Sequence, residues 1–146
     1  YSTQVSVRSN EHIATFVKDK RNINKTDGVV RSQQVMPRWI ETKKRFETSV
    51  CRCSGIDEER IWRICCQHFD RHIKEPAIGL GSGRASIVFD VGLSFDPDGV
   101  PYPEHVNIVG WQVSAARPRE ESKGLHMNQA QKIAAELKYS PRPEGR

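Results

Sequence analysis

Residues 49–72, SVCRCSGIDEERIWRICCQHFDRH, hold all four cysteines of the chain and two of its five histidines, the side-chain types that bind zinc as thiolate and imidazole. The spacing is Cys51-x-Cys53, eleven residues, Cys65-Cys66, then His68 and His72. Structural zinc sites bring two sulfurs to one ion with a C-x(2–4)-C knuckle, and neither pair has that form. Cys51 and Cys53 share a strand face, and Cys65, His68 and His72 share a sector of a helical wheel. Cys51, Cys53, Cys65 and His68 are therefore the only weak metal candidates. Both pairs fall on apolar faces, where a free cysteine behaves as a small hydrophobe. The expectation is reduced, buried thiols with no metal and no cofactor, with disulfides more fitting in a secreted chain.

A second pair with chemical potential is His105 and Asn107 in PEHVNIVGW. Two residues apart on a strand, they project from one face. A histidine beside an amide can serve acid/base work, with Arg84, His68 or Lys132 as a charge stabiliser, as a metal-independent nuclease or toxin requires. The competing reading is a satisfied polar pair at a sheet edge. GLGSGRAS resembles a phosphate loop, but the expected order is helix, loop, strand, whereas such loops need strand, loop, helix. It reads as a flexible connector. DPDG places Asp96 and Asp98 as in a calcium loop, yet Asn107 occupies the twelfth position where glutamate belongs, so it reads as a turn. Pro97-Asp98 and Glu136-Leu-Lys138 make a poor nuclease pair, because the second lies on an expected helix. G-x-S-x-G and H-E-x-x-H are both missing.

Charge is unevenly spread. The chain carries +5 overall, but Lys18–Arg45 hold nine basic residues against three acidic ones, a local +6. Residues 46–116 sum to −4 and residues 117–146 to +3. A basic N-terminal region steers toward an anionic partner, by counterion release if that partner is nucleic acid. Lys18, Lys20, Arg21, Arg38, Lys43, Lys44 and Arg45 supply phosphate contacts, while Phe16, Trp39 and Phe46 supply stacking faces. Solubilising lysines on a loop would produce the same run.

These residues must be positioned by a modest scaffold. A chain of 146 residues fits one core that buries roughly 68–70% of its unfolded surface. With 36% apolar and 28% charged residues, composition is near that of ordinary globular domains. No apolar run reaches the ~18 residues of a membrane span. The chain opens on Tyr1 rather than Met, so a missing signal peptide says nothing about export. The expected setting is cytoplasmic.

A weak hairpin is expected over residues 3–18, turning at Ser9-Asn10, and a basic mobile loop near 18–34. RWIETKKRF stays open between a helical turn and irregular chain. FETSVCRC reads as a strand. DEERIWRICCQHFDRHIK reads as a helix ended by Pro76, with Ile61, Trp62, Ile64, Cys65, Cys66, Phe69 and Ile73 on its apolar side. RASIVFDVGLSF alternates apolar and other residues for six positions and reads as the best strand. HVNIVGW is a further strand, and MNQAQKIAAELKY a helix with Met127, Ala130, Ile133, Ala134 and Leu137 inward. The expected fold is a single α+β domain over 1–140, a small, largely antiparallel sheet with two helices packed on one face. Residues 141–146 form a frayed tail. SVCRCSGIDEERIW, HVNIVGW and QKIAAELKY resemble segments of short bacterial proteins. That implies a bacterial cytoplasmic origin and transfers no functional residue.

The expected function is a non-catalytic accessory protein that binds nucleic acid or an acidic protein through the basic region, without a membrane role. The alternative is the small nuclease or toxin built on His105, Asn107 and Arg84.

Overall fold

Alternation of polar and apolar residues in FETSVCR produces the longest strand of the structure, and the sheet is organised around it. The computed structural model describes residues 5–70, 76–115 and 122–146. Within these, the strands are β1 (His12–Val17), β2 (Ile23–Asn24), β3 (Val29–Val30), β4 (Arg38–Ile40), β5 (Arg45–Arg52), β6 (Gly79–Arg84), β7 (Ser94–Asp96), β8 (His105–Val109) and β9 (Lys138–Pro141). The helices are α1 (Glu58–Cys65), α2 (Ser86–Asp90) and α3 (Ser122–Ala134). The strands form one sheet in the order β2-β3-β9-β6-β1-β5-β8-β7, with β4 also on β5, and every pairing is antiparallel. This is the α+β class expected from sequence.

Each sheet face has its own apolar cluster. Ile13, Val17, Val50, Val106 and Ile108 point to one side and meet Ala130, Ile133, Ala134 and Leu137 of α3 with Val88 of α2. Phe16 and Cys51 point to the other and meet Ile61, Trp62, Ile64 and Cys65 of α1. The helices thus cover both faces, a finer arrangement than the single covered face expected. Both sets are legible in β1, where Ile13 and Val17 alternate with Ala14 and Phe16, as in a strand buried on both sides.

α1 begins where expected: the Asp57 carboxylate accepts a hydrogen bond from the Arg60 amide at 2.8 Å, and Glu58 and Glu59 sit in the positive first turn. After Cys65 the chain widens into a π-helical turn over Cys66–Asp70. Cys66, at the start of that turn, is exposed rather than on the apolar side expected. His72 and Ile73, with the rest of the stretch before Pro76, where the helix is expected to end, lie outside the described residues.

Two expectations exchange places. GLGSGR is a strand, β6, between β1 and β9, and SIVFD is the short helix α2. Strand β6 needs its glycines for space. A Cβ at Gly79 would run into the Tyr139 ring, one at Gly81 into Val30, and one at Gly83 into the main-chain oxygen of Glu136. Without side chains on that face, β9 and the end of α3 can close onto the sheet. Helix α2 is ended by Gly92 in the left-handed region, φ 85°. The Leu93 amide donates to the Val88 carbonyl and the Gly92 amide to the Phe89 carbonyl, both at 3.0 Å, the paired bonds that close a helix on glycine. The apolar run of RASIVFDVGLSF fits either period. The Gly92 cap and the burial of Val88 beneath α3 favour the helical one.

Elsewhere, residues 9–10 do turn, but the described chain before them is not a strand. The 18–34 stretch holds two 3-10 turns, Lys20–Asn22 and Ser32–Gln34, and the β2–β3 hairpin. RWIETKKRF is the β4–β5 hairpin, with Lys44 at φ 53° in its turn. α3 ends at Ala134, and Lys138–Pro141, part of it expected as tail, pairs with β6. On α3 His126 is fully buried, packed against Phe46 and Trp111, while Met127 is only half-buried.

Candidate anion-binding cleft

Strands β1 and β5 pair at only two positions, Ile13 with Arg52 and Ala14 with Cys51. Past Ala14 they part, and β5 takes β4 as its partner from Arg38–Glu47 to Ile40–Arg45. The divergence opens a cleft of about 210 Å³, lined by Thr15, Lys18, Gln34, Arg38, Glu47 and Tyr102 among others. Gln34 fixes one wall by donating from Nε2 to Thr15 Oγ1 at 2.8 Å and to the Phe16 carbonyl at 3.0 Å. Thr48 Oγ1 donates to the Val35 carbonyl at 2.8 Å and ties the turn after β3 to β5.

The basic run separates by partner. Arg21 pairs with Asp19 at 2.7 Å, Lys44 with Glu41 at 2.5 Å, and Lys43 with Glu47 at 3.3 Å. Arg45 pairs with Glu47 at 2.6 Å and also with Asp96 of β7. Lys18, Lys20 and Arg38 have no ion pair among the described residues, and Lys18 and Arg38 line the same cleft. Glu47, directly opposite Arg38 across the β4–β5 ladder, also lines the cleft but is held by Lys43 and Arg45, so Lys18 and Arg38 add positive potential between low-dielectric walls.

The aromatic residues do not offer stacking faces as expected. Phe16 and Phe46 are core residues, and Trp39 is half-buried against Phe46 with its Nε1 donating to Glu41. Both phenylalanines lie on strands closed by helices, where burial of apolar area outweighs display to solvent. Tyr102 lines the cleft wall together with Phe16 and Phe69, and packs near His68 at 5.1 Å between ring centres.

His105 and Asn107 are brought together, and both face Asp98. His105 Nδ1 lies 2.7 Å from Asp98 Oδ1, and Asn107 Nδ2 donates to Asp98 Oδ2 at 2.9 Å. Burial opposes the ionisation of Asp98, but these bonds, the histidine's charge and the Val100 amide outweigh it and hold the carboxyl below the usual range. His105 and Asn107 are 7% and 2% exposed. Arg84 is not with them. The register runs His105 to Cys51, Ala14 and Ser82 in successive strands, which places β6 three steps from β8, ~14 Å away. Lys132 is exposed on α3, across the sheet. The arrangement satisfies the polar pair. Asp98, a turn residue by sequence pattern, is the acceptor that organises it.

The cysteines are dispersed in role. Cys51 and Cys65 are 1% and 0% exposed within one apolar cluster, Cys53 is half-buried and Cys66 is exposed; all four are free thiols. Burial pushes the Cys51 thiol well up, that of Cys53 up to about 11 and that of Cys65 up to about 12, the last with help from Asp70. These thiols stay protonated, unlike metal ligands. Among the described residues no three His, Cys, Asp or Glu side chains are grouped to hold a metal ion. No helix among them is long and apolar enough to cross a membrane.

The phosphate-loop geometry fails for a reason other than the one expected. Gly79, Gly81 and Gly83 lie within the ladder that pairs β6 with β1 and β9, so their main-chain groups belong to the sheet. Residues that sequence reasoning missed are Gln34, Thr15 and Asp98. Their partners lie 18–19 and 7–9 positions away, and no local pattern signals such bonds. No family model, curated protein or solved structure matches the chain.

Proposed function

We propose that this is a non-catalytic binding protein whose basic N-terminal region engages an anionic partner, nucleic acid foremost and an acidic protein next, with Lys18 and Arg38 as the principal contacts. One observation carries the reading: of the basic run, these two cations share a cleft and lack an acidic partner, whereas Arg21, Lys43, Lys44 and Arg45 are ion-paired. Lys20, two residues after Lys18, is exposed and likewise without an ion pair among the described residues. Four free thiols suit a reducing, cytoplasmic compartment.

The test is binding of labelled single-stranded RNA and DNA over a salt series, followed by native and denaturing gels with and without chelator. The K18Q/R38Q variant is expected to bind roughly tenfold or more weakly, with a shallower salt dependence, by about 0.7 in log–log slope for each phosphate no longer neutralised. Unchanged affinity in that variant overturns the reading. Chelator-resistant fragments on the denaturing gel would instead favour a nuclease acting through His105.

A further inference from the structure

At the opposite end of β1 from Lys18 the same sheet face carries a second group of basic side chains. His12 on β1 is directly opposite Arg84 on β6, and Ser82, two residues before Arg84, is directly opposite Lys138 on β9. Side chains of directly opposed residues share a face with Cβ atoms about 5 Å apart, and diagonal neighbours lie about 7–8 Å apart. His12, Arg84 and Lys138 therefore stand together over one patch of sheet. With Ser82, Ser86 and Ser140 they line a cleft of about 730 Å³.

Basic side chains facing each other across strands destabilise a sheet unless an opposite charge compensates them. None of the three forms an ion pair among the described residues. Asp90 and Glu136 also line the cleft, but neither forms an ion pair or hydrogen bond with the three among the described residues. Three basic donors around serine hydroxyls match an oxyanion with several acceptor oxygens. The two carboxylates on the same cleft oppose a long polyanion, which would carry further negative charge past them, and leave a small phosphate-bearing molecule as the better match.

We infer that His12, Arg84 and Lys138 form a binding site for inorganic phosphate or a small phosphomonoester, with Ser82, Ser86 and Ser140 supplying hydroxyl contacts. The site is distinct from the Lys18/Arg38 cleft, six residues along β1 or ~20 Å away.

The experiment is backbone amide chemical-shift mapping of the full chain titrated with inorganic phosphate, ribose 5-phosphate and a single-stranded oligonucleotide. Saturable shifts at Ser82, Arg84 and Lys138 with the first or second probe are expected, and which of the two binds more tightly distinguishes free phosphate from an ester. R84Q/K138Q should weaken binding at least about tenfold, H12Q less so, and K18Q/R38Q should leave it unchanged. All three patch residues are exposed, so an unaltered far-UV spectrum should accompany the loss. Absence of saturable shifts with both phosphates, equal affinity in R84Q/K138Q, or shifts at these amides with the oligonucleotide alone would overturn the assignment. Because K18Q/R38Q reports separately on the other cleft, failure of one site does not imply failure of the other.

Discussion

The Asp98 carboxylate joins the two polar residues of β8: one oxygen lies 2.7 Å from His105 Nδ1 and the other accepts from Asn107 at 2.9 Å. The loop before β8 is thereby fastened to the strand. Replacing Asp98 by alanine leaves two buried donors without an acceptor, and each such group costs about 1–3 kcal/mol. D98A should show that loss in urea unfolding at neutral pH. Asp98 has a lowered pKa in the fold, so its contribution is complete above the ordinary carboxylate range, about 4, and is lost as pH falls through the lower folded value. The difference between wild type and D98A should therefore narrow only in acid below that range.

Glu47 is buried, and Lys43 and Arg45 hold it while Arg45 also reaches Asp96. The K43Q/R45Q variant should lose stability, by about 1–3 kcal/mol after allowing for the partial exposure of both cations, because a buried carboxylate is left without partners. Its affinity for an anionic probe should change less than that of K18Q/R38Q. Parallel melting and binding measurements check both halves.

Glycine positions on the sheet and on α3 should respond in opposite senses. A methyl group at Gly83 meets the Glu136 main-chain oxygen, which cannot move without moving the end of α3. Gly83→Ala should cost about 1–3 kcal/mol by overpacking. Gly124 on α3 has nothing within 4 Å of the added Cβ, so Gly124→Ala should gain about 0.5–1 kcal/mol by reducing unfolded-chain entropy. Thermal melts of the two variants decide this.

Cysteine reactivity should follow burial. Cys66 is exposed, and Arg142 Nη2 donates to its sulfur at 3.3 Å, while Cys51 and Cys65 are protonated within the core. Iodoacetamide should modify Cys66 first and Cys53 slowly, with Cys51 and Cys65 protected until denaturant is added. Peptide mass spectrometry resolves the order. Early modification of Cys65 would contradict its placement on the buried face of α1.

Sequence alone determined the parts whose signal is local. The α+β class, the strand around Val50 and Cys51, the α1 start at Asp57, the β8 strand at His105–Val109 and the inward face Ala130–Ile133–Ala134–Leu137 each follow from periodicity and capping within about a dozen residues. The pairing of His105 with Asn107 on one face was legible for the same reason. Tertiary structure decided what depends on distant neighbours. GLGSG becomes a strand because Tyr139, Val30 and Glu136 fill the space its missing side chains leave, and SIVFD becomes a helix because Val88 packs beneath α3 and Gly92 closes the turn. The basic run was visible as composition, but the division of its cations between paired and unpaired was not: Arg21, Lys43, Lys44 and Arg45 meet acids two to four residues away in the turn and hairpin the chain adopts, and Asp96 reaches Arg45 only after the sheet has formed. Spacing along a chain records periodicity; which neighbouring charges meet depends on the turn or hairpin that holds them, and the Arg45–Asp96 pair depends on strands far apart in sequence coming close together.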